Sequence, residues 1–208
     1  MPSAEPALFA AQALACARGG RLVFEELSFA LAPGEALLLR GPNGCGKSSL
    51  LRMLAGLLRP AGGRLLWEGE AVAADLPAHH VRLHYVGHGN AIATTLTAEE
   101  NLAFSTELLG GTGEHLAAAL AAFDLESLAS SPGRFLSAGQ RRRLALARLV
   151  AAPRKLWLLD EPGVGLDRAS RARLEAAIGA HRAAGGICVL ATHGDVAVPD
   201  PLVIDFHG

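Results

Sequence analysis

The stretch Gly41-Pro42-Asn43-Gly44-Cys45-Gly46-Lys47-Ser48 fits the pattern G-x-x-x-x-G-K-[ST], follows the apolar run Ala36 to Leu39 and opens a helical pattern from Ser49 to Leu58. Strand, glycine-rich loop and helix in that order constrain the fold more than any other feature, because the loop has to leave the carboxyl edge of a sheet. The glycines let the backbone curl until successive N–H groups converge on phosphate oxygens, and the helix N-terminus adds the positive end of its dipole. In this reading Lys47 reaches the β- and γ-phosphates of a nucleotide, and Ser48 holds Mg²⁺ through its hydroxyl. Pro42, Asn43, Cys45 and Ser49 complete the loop's nucleotide surface. A glycine-rich strand-to-helix turn with an incidental lysine is the plainer alternative, which the flanking strand and helix disfavour.

Around this loop, strand-like and helix-like stretches follow one another. Leu8 to Ala17 and Leu22 to Leu31, broken by Arg18-Gly19-Gly20-Arg21, predict an antiparallel hairpin that roofs the nucleotide. Ala36 to Arg40 reads as a buried strand, Ser48 to Leu58 as a helix closed by Arg59-Pro60, and Gly62 to Glu68 as a strand. The pattern is irregular between Asp75 and His80, becomes a strand over Val81 to Val86, and passes into a mobile loop from His88 to Leu96. Thr97-x-x-Glu100 and Ser137-x-x-Gln140 each have the form of a capping box and predict helix starts, with an alanine- and leucine-rich helix, Glu114 to Phe123, between them. Lys155 to Leu159 and Ile187 to Ala191 read as buried strands separated by a helix over Arg168 to Ala184, and Leu202 to Phe206 as a last strand. Buried strands alternating with helices imply an α/β fold with a largely parallel sheet. The expectation is one domain over residues 1–208, with a helical subdomain over approximately 89–153.

The strand before Asp160-Glu161 delivers two adjacent carboxylates to the sheet edge where α/β proteins place their ligands. Asp160 would bind Mg²⁺, and Glu161 would face the γ-phosphate and polarise the attacking water as general base. Alone, an acidic pair ending a strand is a common solvated loop start; beside a phosphate loop the catalytic reading is the stronger. Leu136-Ser137-Ala138-Gly139-Gln140 offers a hydroxyl and N–H donors to an anion at a helix N-terminus, though by itself it is no more than a helix cap.

Nineteen basic against twenty acidic residues in 208 give a net charge of −1, so the chain carries no broad electrostatic footprint for nucleic acid. Cys16, Cys45 and Cys188 are odd in number and lack C-x-x-C spacing, which reads as reduced thiols. The longest apolar runs fall far short of the roughly twenty residues needed to cross a bilayer. Met1-Pro2-Ser3-Ala4-Glu5-Pro6 lacks the form of a secretory signal, so a cytosolic location is expected.

With the loop at 41–48, a signature at 136–140, an acidic strand end at 156–161 and His193 beyond the next strand, the chain resembles the ATP-binding cassette ATPases over nearly its full length. That resemblance implies a P-loop core with an antiparallel roof and a head-to-tail homodimer. In it Ser137, Gly139 and Gln140 complete the γ-phosphate site of the partner subunit, and Leu166-Asp167 communicates across the interface. It also implies that His193 contacts the γ-phosphate and orients the catalytic water. Two positions depart from the family. His88 stands where a glutamine usually joins the core to the helical subdomain, and Arg18 stands where an aromatic usually stacks on adenine. A guanidinium plane also stacks on a base; a solvated turn arginine is the other reading.

Ala55-Gly56-Leu57-Leu58-Arg59-Pro60, Trp67, Tyr85-Val86-Gly87-His88, Leu96 to Leu102, Phe135 to Gln140 and Ala145 to Arg148 are similar to the haem-exporter ATPases of bacterial cytochrome c maturation. Gly89 departs from that subgroup, in which a glutamine commonly follows the histidine. The likeness implies integral membrane permease subunits as partners, an indirect relation to a haem chaperone, and a place on the cytoplasmic side of the inner membrane. Rival readings fare less well: a cassette acting on DNA or ribosomes lacks its coiled coil, second cassette or basic surface, and a nucleotide kinase leaves the signature unexplained. The ATPase of another small-solute transporter shares the hydrolytic core and differs only in the subgroup motifs. His79, His80, His84 and His88 are expected to be solvated loop histidines, since four residues of strand would separate the last two by about 13 Å.

Overall fold

The computed structural model describes residues 7–206. Met1 to Pro6, read above for the form of a secretory signal, lie outside the described residues.

Two sheets make the framework. β1 (Phe9–Arg18) and β2 (Arg21–Leu31) form the antiparallel hairpin, and β4 (Gly62–Trp67) and β5 (Glu70–Ala71) extend it to the order β2-β1-β4-β5. The second sheet is parallel, with β6 (Leu83–Val86), β7 (Leu156–Asp160), β8 (Ile187–Ala191), β3 (Ala36–Arg40) and β9 (Leu202–Asp205) in the order β6-β7-β8-β3-β9. All residues of β7 and β8 are buried, as the continuous apolar runs require of central parallel strands.

The period-2 geometry of these strands divides the core. Leu37, Leu39, Leu158 and Val189 face α1 (Lys47–Leu54) and the antiparallel sheet, where they meet Leu50, Leu51, Phe9 and Trp67. Leu38, Leu159 and Leu190 face the opposite way, onto α3 (Ala98–Leu108), α4 (Leu116–Ala122), α5 (Ala138–Ala151) and α6 (Arg168–Ala183). Each leucine so buried contributes roughly 1.5–3 kcal/mol relative to exposure. Both expected capping boxes form: Thr97 and Glu100 exchange hydrogen bonds of 2.8 and 3.1 Å, and Ser137 and Gln140 exchange bonds of 2.7 and 3.2 Å.

Four expectations need correction. The helix after the phosphate loop ends at Leu54 rather than Leu58, because Gly56 takes a left-handed φ of 72° that stops it four residues early. The stretch 75–80 is not irregular: α2 (Leu76–Val81) occupies it, capped by Asp75, whose carboxylate accepts the Ala78 N–H at 2.9 Å, so the following strand starts only at Leu83. His79 and His84 are not solvated; both are buried, and their Nε2 atoms lie 2.8 Å from the Leu54 carbonyl and 2.6 Å from that of Ala152. The loop at 88–96 is pinned rather than loose. The Asn101 amide donates to the carbonyls of Ala93 and Leu96 at 3.0 and 3.1 Å and accepts the Ala93 N–H at 2.7 Å.

Candidate functional site

Because the second sheet is parallel, the carboxyl ends of β6, β7, β8 and β3 share one edge, and the four segments that leave them carry the polar residues singled out in the sequence. Gly87-His88 follows β6, Glu161 follows β7, Thr192-His193 follows β8 and the phosphate loop follows β3. This edge is the crevice in which open α/β sheets hold ligands.

Three glycines of the loop take positive φ: 139° at Gly41, 82° at Gly44 and 116° at Gly46. At Gly46 an added Cβ would stand 2.8 Å from Val23 Cγ1, so the loop closes tightly under the hairpin. Gly46 also occupies the N-cap of α1 without a side-chain cap, which leaves the first N–H groups of the helix to face the crevice. Lys47 is buried, and its ammonium donates to the carbonyls of Gly41 at 2.7 Å and Pro42 at 3.0 Å, fixing the curl of the loop.

A cleft of about 360 Å³ brings Arg18, Asn43, Lys47, Ser48, His88 and Asp160 to one surface with Glu161, and Gly44, Gly46 and Ser49 also line it. That size lies in the range of small-molecule sites, about 300–1,000 Å³. His193 Nε2 stands 2.9 Å from Asn43 Oδ1 and 3.3 Å from Glu161 Oε1, and His88 Nε2 stands 3.8 Å from Asp160 Oδ2. Burial raises the Glu161 carboxyl above the ordinary carboxylate range, against the opposing charges of His193 and Lys47. Its Oε2, like Oδ1 of Asp160, is buried without a hydrogen-bond partner among the described residues. Ser48 and Asp160 line the same cleft, and a hydroxyl beside a carboxylate with an unsatisfied oxygen is a hard-oxygen pair that suits a magnesium ion between protein and phosphate.

Ser137, Gly139, Gln140 and Asp167 do not line the cleft. Ser137 is exposed at the N-terminus of α5, and a Cβ on Gly139 would lie 3.4 Å from the Gly165 carbonyl, so the signature rests against the turn after Glu161. Asp167 is the N-cap of α6 and accepts the Ser170 N–H at 2.7 Å, a bond that lowers its pKa.

Sequence reasoning missed two features. The Asn43–His193 contact joins segments 150 residues apart and leaves no local signal. Arg142 was visible only as the middle of a basic triplet, yet it is buried, and its guanidinium donates to backbone carbonyls at Gly87, Asp160, Glu161 and Pro162. The signal that finds it is periodicity: Arg142 stands on the stripe of Ala145, Leu146 and Leu149, all buried.

A family profile described as ABC transporter matches residues 24–164. The cytochrome c biogenesis ATP-binding export protein CcmA of Rhodospirillum rubrum is 59% identical over 199 residues, which is 96% of this chain and 85% of that protein. The protein of the same name from Paramagnetospirillum magneticum is 55% identical over 195 residues, 92% of this chain and 90% of that one. Among solved structures, an ATP-binding subunit of an ABC transporter matches with a TM-score of 0.81 at 26% identity, covering 90% of this chain and 80% of that chain. An ABC transporter ATP-binding protein from Pyrococcus furiosus matches in fold with a TM-score of 0.83 at 20% identity, covering 96% and 97%. The phosphate loop, the acidic strand end and the histidine beyond the next strand meet at one sheet edge within that shared fold, and the chain belongs to the ABC transporter ATPases, in the family of the CcmA cytochrome c biogenesis ATP-binding export proteins.

Proposed function

We propose that this chain is the ATP-hydrolysing subunit of a membrane complex of cytochrome c biogenesis, where it energises haem export or the release of a haem-loaded chaperone. The observation that carries this reading is the 59% identity to a CcmA export protein across 96% of the chain, with the cleft residues in place.

In the proposed mechanism the loop N–H groups and Lys47 bind the β- and γ-phosphates, and Asn43 holds His193 beside Glu161. Glu161 takes the proton of the attacking water; its raised pKa brings it closer to the operating pH, where a general base works best. Ser48 and Asp160 would hold Mg²⁺, which neutralises charge on the phosphate oxygens when bound with ATP. Arg18 lines the same cleft and is proposed to stack on adenine, and His88 to sense the γ-phosphate region. Ser137, Gly139 and Gln140, which stand outside this cleft, would complete the site of a second copy in a head-to-tail homodimer, with Asp167 at the interface.

Among the described residues no helix is long and apolar enough to cross a membrane, so directional work requires an integral partner. We propose that it docks through the helical subdomain near residues 88–109, at the cytoplasmic side of the inner membrane. A groove of about 300 Å³ lies where that subdomain meets the core, lined by Leu57 and Tyr85 from the core and by Leu108 and Arg148 from the subdomain. Leu57 is 60% exposed and Leu108 77%, the apolar surface a membrane subunit would cover.

Deleting the gene should eliminate covalent haem attachment to periplasmic c-type cytochromes while sparing b-type cytochromes, and the Lys47→Ala variant should not restore it. Normal c-type cytochromes in the deletion strain, with loss of transport of some other solute, would overturn the haem assignment and leave the ATPase reading standing.

A further inference from the structure

We infer that Arg142 is the positioning residue for Glu161, holding the Asp160–Pro162 turn and the Gly87–Asn90 loop together on one guanidinium. Its Nη2 donates to the carbonyls of Glu161 at 2.8 Å and Asp160 at 3.3 Å, its Nε to that of Pro162 at 3.2 Å, and its Nη1 to that of Gly87 at 2.9 Å. Nη1 also lies 3.4 Å from Asn90 Oδ1. The planar fork, with five N–H donors in fixed directions, is what lets one side chain serve both segments; an ammonium cannot do so.

Such an anchor is needed because Glu161 is strained. It takes a φ of 49°, a left-handed conformation that a residue with a Cβ keeps only where its surroundings over-determine it. Three contacts supply that constraint. The Glu161 N–H donates to the Ala191 carbonyl at 2.9 Å, and the Glu161 carbonyl accepts from Arg142 at 2.8 Å and, more weakly, from the Val164 N–H at 3.3 Å. With both ends of the residue fixed, its carboxylate stays beside His193; with Arg142 removed, the turn relaxes and the carboxylate swings away.

The same guanidinium reaches the segment that bears His88, and a second arginine of α5 supports it there, Arg148 donating to the Asn90 carbonyl at 3.3 Å. Arg142 is five residues from Ser137, about 7.5 Å along the helix. A shift of α5 or of the 87–90 loop is therefore passed to the backbone of Glu161 without any change at the phosphate loop.

The inference rests on Glu161 being the general base, so the experiment measures Glu161→Gln alongside Arg142→Lys and Arg142→Gln. The readouts are thermal unfolding and ATP binding of the subunit, and kcat and KM for ATP of the assembled complex. Arg142→Lys should lower kcat by about 10- to 100-fold, the scale of a misplacement of about 1 Å, while KM and the ATP Kd stay within about threefold. Native kcat in Arg142→Lys beside an inactive Glu161→Gln would overturn the positioning role alone. Retained turnover in Glu161→Gln would overturn the base assignment and the inference with it. If kcat and Kd worsen together, or if neither Arg142 variant folds, Arg142 is a structural residue and the inference falls.

Discussion

His193 Nε2 lies 3.3 Å from Glu161 Oε1, although the two residues arrive from different strands, one from the end of β8 and the other from the end of β7. The pair exists because β7 and β8 run parallel in register, with Asp160 opposite Ala191. A carboxylate buried on one side and faced by an imidazole on the other is the arrangement that the proposed general base requires.

Glu161→Gln should keep ATP binding and lower turnover of the assembled complex by at least about 100-fold, since the amide preserves shape and removes the base. Near-native turnover would refute the assignment. The pKa of Glu161 is raised, so the folded state favours the protonated carboxyl, and the fold loses stability as pH rises from the ordinary carboxylate value through the raised one. Glu161→Gln should accordingly melt at a higher temperature than the parent at neutral pH, with the gap closing as pH falls through the raised pKa. A gap independent of pH would show that another group carries the effect.

Acid sensitivity of the fold should come from the buried histidines, His79 among them but chiefly His84 and His181, whose values fall furthest. Burial lowers His84 to about 4, and it lowers His181, stacked on Trp157 at 3.9 Å, to about 4 as well. Between the ordinary value of 6.5 and about 4 the unfolded chain binds these protons and the folded chain does not. Stability should therefore be fully present above pH 6.5 and decline towards pH 4. His181→Phe keeps a ring against Trp157 and should flatten the dependence of melting temperature on pH; an unchanged slope would remove His181 from the account.

Loop glycines differ in what they can tolerate. At Gly44 a Cβ meets nothing within 4 Å, so Gly44→Ala should cost only the left-handed backbone penalty, about 1 kcal/mol. At Gly41 it would stand 2.6 Å from the Phe206 carbonyl, on a chain end fixed by the Phe206 N–H bonded to the Arg40 carbonyl at 2.8 Å. Gly41→Ala should lower the melting temperature more than Gly44→Ala and weaken ATP binding, as calorimetry and titration can test; equal effects would mean the end of β9 yields easily.

What the sequence made legible was the part governed by local rules. The capping boxes at Thr97 and Ser137 place two helix starts, and the runs before Gly41 and Glu161 place two buried strands of the parallel sheet, because caps and burial patterns are written within a few residues. What it hid depends on partners far along the chain. His79 and His84 look solvated until the carbonyls of Leu54 and Ala152 come to them across 25 and 68 residues. Arg142 looks like surface charge until carbonyls from two other segments surround it. The end of α1 is set by the left-handed Gly56, and tertiary packing holds glycine there, since a Cβ would press on Leu76 at 2.9 Å and His80 Nε2 at 3.2 Å.

The placement of Ser137 sets up the last prediction. It is exposed at the start of α5, outside the cleft that holds Lys47 and Glu161, so one copy of the chain does not bring its signature hydroxyl to its own phosphate site. If the signature acts on a second copy, a mixed dimer of Lys47→Ala and Ser137→Arg subunits contains one composite site with both lesions and one with neither. Each homodimer, by contrast, carries a lesion in both sites. Co-expression with two affinity tags and sequential purification would isolate the mixed species within the membrane complex. Its ATPase rate should exceed that of either mutant homodimer and reach at most about half the parent rate if the two sites turn over independently. A mixed dimer no more active than the homodimers is the outcome expected if each signature serves its own chain and would count against the composite site, and a monomeric chain hydrolysing ATP as fast as the assembled complex would remove the need for a second signature altogether.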